Sequence, residues 1–243
     1  MTENTASKAS ATLYLIPVPM TDDTRPADVL PAPVIETVRS LRCFFVENLR
    51  SARRFLKAVD RDFDIDAADF HVIDEHSTAQ SVAALLPVLE AAGRAGVISE
   101  AGCPAVADPG AMLVEMARAR GCDIRPMIGP SSILLGLMAS GFNGQNFAFN
   151  GYLPHDTADR KRKIKELAAR VRNERQTQIF IETPYRNNKL IAELADELPS
   201  AMRLCVACEL TSPRQSVSVL TAAQWRRASY DYAKRPAIFL IYS

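Results

Sequence analysis

Between Thr12 and Pro126 the chain alternates short β-branched and aromatic runs with amphipathic helical stretches on short links, and few folds satisfy that alternation. Thr12 to Val18, Cys43 to Glu47, Phe70 to Ile73, Gly96 to Ser99 and Cys122 to Pro126 read as strands. Between them, Val34, Val38 and Leu41, then Ala52, Phe55 and Leu56, then Val82, Leu85, Leu86 and Leu89 recur at helical spacing. Pro17 and Pro19 stop the first strand, because proline cannot donate to a ladder. Ser77 and Gln80 predict a capping box, and Asp108 with Pro109 predicts an N-cap and first-turn proline for a helix reaching Gly121. Successive strand and helix units build a parallel sheet, whose ligands collect outside the carboxyl ends of the strands. Three loops fall at that edge: Pro17 to Thr21, Glu47 to Arg50 and Ser99 to Gly110.

Beyond Gly129 the pattern changes. A small-residue helix from Ser131 to Ser140 leads to a strand, Phe147 to Gly151, and then to a charged helix from Asp159 to Arg172. Strands over Gln178 to Glu182, Arg203 to Leu210, Gln215 to Leu220 and Ala237 to Tyr242 interleave with helices over Tyr185 to Leu198 and Ala222 to Ser229. The reading is α/β throughout, with an N-terminal domain at 12–128, a C-terminal domain at 129–243 and a joint at Ile128 to Ser131.

Composition removes several classes. With 48% hydrophobic and 23% charged residues the chain of 243 is neither disordered nor fibrous. The 29 basic and 28 acidic residues nearly cancel, so no global charge argues for wrapping nucleic acid. Apolar runs fall short of a membrane span, and the opening Met1 to Ser10 lacks a hydrophobic signal core, so the cytoplasm is the expected location. Cys205 and Cys208 lie in a predicted buried strand on opposite faces, and His71, His76 and His155 have no partner at zinc-like spacing, so no metal is expected. Dinucleotide, P-loop and nucleophile-elbow glycine patterns are absent.

All ten glycines lie between Gly93 and Gly151. Gly93, Gly96 and Gly121 follow helical runs and read as caps or turns, whereas Gly102, Gly110 and Gly129 sit in loops where a ligand could approach the main chain. The loop Ser99 to Gly110, with its two proline-glycine turns, is able to hold a zwitterionic, adenosine-like ligand by main-chain groups.

Six ordered blocks across residues 12–242 carry a resemblance. Ser99 to Gly110 resembles Ser-Asp-Ala-Gly-Thr-Pro followed by Ser-Asp-Pro-Gly, with Glu100, Cys103 and Ala107 as replacements. Ile128 to Ser132 resembles Pro-Gly-Pro-Ser-Ala and is followed by Leu137 to Gly141. Phe149 to Pro154, Glu182 to Arg186 and Ala207 to Thr211 match Phe-x-Gly-Phe-Leu-Pro, Glu-Ser-Pro-His-Arg and Ala-Arg-Glu-Leu-Thr. The chain resembles the tetrapyrrole methylase superfamily of S-adenosylmethionine (SAM) methyltransferases, and within it the ribosomal small-subunit RNA 2′-O-methyltransferase (cytidine) family. It departs from that family in Pro17 to Asp23, which lacks two glycines, and in Glu47-Asn-Leu-Arg50, which replaces Glu-Asp-Thr-Arg.

The resemblance implies two α/β domains, a parallel-sheet one and a mixed-sheet one, with SAM in the cleft between them, and a homodimer. It assigns the cofactor to Pro17, Glu100, Ala101, Gly102, Pro104, Ala105, Val106, Asp108, Ser131, Ser132, Tyr152, Leu153, Thr183 and Pro184. Glu47 and Arg50, at the carboxyl edge, are the catalytic candidates and are expected to serve the acceptor. Glu75 and His76 are matched by a His-Glu-His in the family, and Glu182 and Glu209 are candidate orienting groups. The basic run Arg160, Lys161, Arg162 and Lys163 is the candidate contact for RNA. Alternatives are a small-molecule or tetrapyrrole acceptor, or a non-catalytic RNA-binding relative.

Overall fold

The computed structural model describes residues 10–243, so the polar opening segment ahead of Ser10 lies outside it. Two compact units divide the chain, one ending at Pro130 and the other running from Ser131 to Ser243.

The first unit runs β1 (Thr12–Ile16), α1 (Pro26–Val29), α2 (Ala32–Ser40), β2 (Cys43–Val46), α3 (Leu49–Val59), β3 (Asp69–Val72), α4 (Ala79–Ala83), α5 (Leu86–Ala92), β4 (Arg94–Ile98), α6 (Gly110–Ala119) and β5 (Asp123–Pro126). Its five strands pair in the order β3-β2-β4-β1-β5, every neighbour parallel. Adjacent residues of a strand face opposite ways, and β2 is buried on both sides as a central parallel strand must be. Phe44, Ile16 and Ile98 pack with Val34, Val38, Phe55 and Leu56 under α2 and α3. Phe45, Leu13 and Val97 pack with Val82, Leu86, Leu89 and Leu113 under α4 to α6.

Several local expectations shift. The capping box is Thr78 with Ser81, while Ser77 bonds back to Asp74. The helix expected to run from Ser77 to Gly93 is two helices, because Pro87 inside a continuous helix would clash with the preceding turn; α5 restarts with that proline in its first turn. Asp108 acts one residue early: α6 opens at Gly110, whose N–H donates to Asp108 Oδ1 at 2.6 Å. Gly96 is neither cap nor turn but lies within β4, where a Cβ would stand 2.5 Å from Ile16 Cδ1.

The second unit runs α7 (Ser132–Ser140), β6 (Phe147–Tyr152), α8 (Thr157–Glu174), β7 (Thr177–Ile181), a 3-10 turn (Pro184–Arg186), α9 (Asn187–Glu197), β8 (Arg203–Cys208), β9 (Ser216–Thr221), α10 (Ala222–Trp225) and β10 (Ala237–Tyr242). Its sheet has the order β6-β7-β10-β8-β9, parallel between β6 and β7 and antiparallel elsewhere. Phe180, Phe239, Leu167, Ile191, Leu194 and Trp225 share its core. Cys208 joins that core and Cys205 does not, as residues three apart on a strand require. The last predicted helix is shorter than its sequence pattern, ending at Trp225, whose indole N–H donates to Leu204 O at 2.9 Å. Among the described residues no helix is long and apolar enough to cross a membrane.

Candidate functional site

In the first sheet β1 and β4 are neighbours, but the chain leaves β1 for helices on one face and leaves β4 for α6 on the other. Such a reversal opens a crevice at the carboxyl ends of the two strands. The loops there are tied together: Val18 N–H donates to Gly102 O at 2.9 Å, and Gly102 N–H donates to Val18 O at 3.2 Å. Gly102 has φ +71°, and Ala105 and Ala107 adopt left-handed backbone too, at φ 65° and 56°. Left-handed alanines cost about 1–2 kcal/mol each, so the loop holds its shape against local preference. Asp108 is what holds it, because its Oδ1 accepts from the N–H of Ala105 at 3.2 Å as well as from Gly110. Burial pushes the Asp108 carboxyl up, and those amide donors pull it back.

Glu47, half-buried at the end of β2, reaches into the same loop, where its Oε2 accepts the Glu100 N–H at 2.9 Å. Its carboxyl is pushed up, mainly by burial; the amide bond opposes the rise, and the negative charges of Asp108, Glu100 and Glu75 add to it. Asn48 then caps α3 by accepting from the N–H groups of Arg50 and Ser51, leaving the Arg50 side chain exposed beyond the cap. Glu75 and His76 stand in solvent, 84% and 83% exposed. An open pocket adjoins Glu100, with a cavity of about 80 Å³ that widens into solvent, lined by Val18, Thr21, Asp22, Ser51, Arg54 and Phe55 among others.

Pro17 and Pro104 are buried and shape these loops, whereas Glu100, Ala101 and Val106 are exposed on them. In the second unit, Ser131 and Ser132 open α7, Tyr152 ends β6 at 60% exposure, and Thr183 is exposed ahead of the 3-10 turn that Pro184 begins. Leu153 is a core side chain, so only its main chain is available to a ligand. Glu182 is buried, accepting the Thr183 N–H at 2.8 Å and pairing with Arg186 at 3.4 Å. Glu209 is neither solvated nor aimed at a site: it is buried between Arg214 at 2.9 Å and Arg235 at 2.6 Å.

The chain matches Tetrapyrrole (Corrin/Porphyrin) Methylases over residues 14–225. It belongs to that family. It is therefore a methyltransferase whose methyl donor is SAM. A protein of Vibrio cholerae serotype O1, Ribosomal RNA small subunit methyltransferase I, is 28% identical over 92% of this chain and 74% of its own length. The protein of that name from Xylella fastidiosa is 34% identical over 60% of this chain, which spans about half of that relative, 52%. Among solved structures, diphthine synthase has a TM-score of 0.67 at 13% identity over 96% of this chain and 90% of its own. The methyltransferase CobJ has 0.63 at 18% identity over 96% and 95%. At such identities the structures speak for the fold. The carboxyl edge fits the donor chemically: four acidic side chains, Glu47, Glu75, Glu100 and Asp108, set a negative potential there, which favours a sulfonium cation.

The basic run of α8 needs a correction. Arg160 is 1% exposed, its Nε donating to Glu193 at 2.5 Å and its Nη1 to the carbonyls of Pro154 and His155. It braces α8 against α9 and cannot meet RNA. Lys161 pairs with Glu197 at 2.8 Å, Arg162 with Asp159 at 2.8 Å and Lys163 with Glu166 at 3.0 Å. Spacing within one helix could not show that α9 supplies half of these acids. The sequence also hid one juxtaposition, Cys43 with Asp69 and His71, whose ligand atoms lie within 4.8 Å at the amino-terminal edge of β2 and β3, away from this site.

Proposed function

We propose that this enzyme methylates a ribose hydroxyl of small-subunit ribosomal RNA. The observation that carries the rRNA substrate is the match over 92% of the chain to a relative named Ribosomal RNA small subunit methyltransferase I. The ribose hydroxyl comes from the resemblance of the motif blocks to the 2′-O-methyltransferase family. SAM supplies a methyl group on a sulfonium that an oxygen can take by in-line displacement. A ribose hydroxyl is a poor nucleophile until its proton leaves, so a base beside it assists the displacement. Glu47 is the group we assign to that proton, because it is half-buried at the carboxyl edge and burial pushes its carboxyl up from the ordinary carboxylate value. We assign Arg50, exposed in the first turn of α3, to the acceptor. The exposed loop positions Glu100, Ala101 and Val106, with Gly102 and Ala105, are assigned to the cofactor in the first unit, and Ser131, Ser132, Tyr152, Thr183, Pro184 and the main chain of Leu153 in the second.

Tritium transfer from labelled SAM to small-subunit rRNA tests this. Label is expected in alkali-resistant dinucleotides, since a methylated 2′-oxygen cannot assist strand cleavage. Label in a tetrapyrrole or other small acceptor, with RNA unlabelled, overturns the substrate; binding of RNA with no transfer to any acceptor overturns the catalytic reading. A homodimer in the cytoplasm belongs to the same proposal, supported by Leu134 and Met138 of α7, apolar yet 53% and 76% exposed. Sedimentation equilibrium giving a monomer mass refutes the dimer.

A further inference from the structure

Two helices carry enough positive charge to meet an RNA strand, and the structure treats them in opposite ways. On α8 every cation of the run is spent on a carboxylate, including Lys165, which shares Glu197 with Lys161. On α3 the residues Leu49 to Val59 contain Arg50, Arg53, Arg54 and Lys57 and no acid. Residues 50, 54 and 57 fall on one stripe, with 53 beside it. All four are exposed, while Ala52, Phe55, Leu56 and Val59 on the other side are buried and hold the helix against the sheet.

Among the described residues one of the four has a carboxylate partner, and the charge of the other three is left standing. Arg54 pairs with Asp22 at 2.7 Å, with the two side chains 59% and 72% exposed. Arg53 lies over the Phe70 ring at 5.6 Å, and Lys57 Nζ donates to the Arg61 carbonyl at 2.9 Å. Among the described residues no carboxylate is within ion-pair distance of Arg50, Arg53 or Lys57. Arg50 and Arg54, like Arg53 and Lys57, repel each other at one-turn spacing, and Arg50 opposes the helix dipole in the first turn. A merely solvated face would have interleaved acids, as α8 does. The acids of this region, Asp60, Asp62, Asp64 and Asp66, come after the helix, and Asp60 is taken by Arg39 at 3.3 Å. Positive charge thus runs along the exposed side of α3, leading away from its first turn beside Glu47. Ser51, Arg54 and Phe55 of the same helix form one wall of the pocket that Glu100 joins.

We infer that the cationic stripe of α3 holds consecutive phosphates of the acceptor RNA and that the adjoining pocket receives one nucleoside, placing its ribose toward Glu47. This rests on the RNA reading above. The stripe from Arg50 to Lys57 spans about 10 Å of helix axis, enough for several phosphates.

The test measures binding of a small-subunit rRNA transcript across salt. Four contacts to a single strand predict a slope of log K against log salt near about −3 for the parent. Arg53→Gln/Arg54→Gln/Lys57→Gln should flatten it to about −1 and weaken RNA binding roughly tenfold or more. The KM for RNA should rise with it, while SAM affinity by calorimetry stays within twofold, which also reports an intact fold. If the triple variant does not fold, Arg53→Gln and Lys57→Gln taken singly should each reduce the slope by about 0.7. Arg162→Gln/Lys165→Gln on α8 should leave slope and affinity unchanged. A parent that binds RNA steeply and an α3 variant that matches it sinks this surface alone. So does a loss that follows the α8 variant. A parent that binds no RNA sinks the RNA reading, and this surface with it.

Discussion

Glu47 has a protonation balance that can be read from its surroundings. Burial and three neighbouring acids push its carboxyl up, and burial does the same to Asp108. An acid whose folded pKa lies above its unfolded value binds its proton more tightly in the native state. Its contribution to stability is therefore full below the ordinary carboxylate range and is lost as pH rises through the raised value. Glu47→Gln should keep or gain stability at neutral pH, since a side-chain carbonyl can still accept the Glu100 N–H. The same variant should lower kcat by about 10² or more, abolish the acid limb of the kcat profile and leave SAM affinity within twofold. Equal loss of SAM affinity would move the residue to the cofactor. Gly102 makes a sharper case, because valine at φ +71° costs about 1–2 kcal/mol in backbone alone and adds bulk to the loop. Calorimetry of Gly102→Val should show SAM affinity at least tenfold weaker, and unchanged affinity would remove the loop from the cofactor site. The thiols rank themselves: burial lifts Cys43 and Cys208 to about 11 and Cys205 to about 12. Native-state labelling at pH 8 should reach the half-exposed Cys103 and Cys122 first, and early labelling of Cys205 would contradict its burial.

At the scale of elements, α8 shows how a charge run becomes a brace. Arg160 is enclosed by Glu193 and two carbonyls, and truncating one partner strands the other in a site that is 14% exposed. Arg160→Ala should cost about 3 kcal/mol in a denaturant melt, whereas Arg162→Ala, two residues along and 78% exposed, should cost less than about 0.5 kcal/mol. Equal effects would mean that the Arg160 pair is not buried in solution. The interruption between α4 and α5 has the same local logic. Thr78 caps α4 by accepting the Ser81 N–H at 3.2 Å, so Thr78→Ala should lose about 1 kcal/mol.

For the whole molecule, each unit has its own apolar core, on two faces of the sheet in the first and around Phe180 and Phe239 in the second. Stability then responds to ligands by mass action. SAM at a hundred times its Kd should add about 2.7 kcal/mol and raise the melting temperature with concentration. Every cysteine is free, so reductant should leave the melting temperature where it was. A melting temperature indifferent to SAM would contradict donor binding by the native state.

What the sequence determined by itself was whatever depends on neighbours along the chain. Strand-helix alternation required the parallel sheet, since helices of that length between strands permit no hairpin, and the carboxyl-edge loops followed from it. The six motif blocks named the family that residues 14–225 match. What only the tertiary structure decided was whatever depends on a partner far along the chain. The strand order put β4 beside β1 and brought Glu47 to the Glu100 amide, 53 residues away. α9 supplied half of the acids that neutralise α8, from 33 or more residues away, while among the described residues no acid pairs with Arg50 or Lys57 on α3. The two basic helices thus differ in the field they present, in part because α8 carries its own acids at i,i+3 spacing, which the sequence shows, and in part because Glu193 and Glu197 of α9 stand opposite it in space, which residue spacing does not encode.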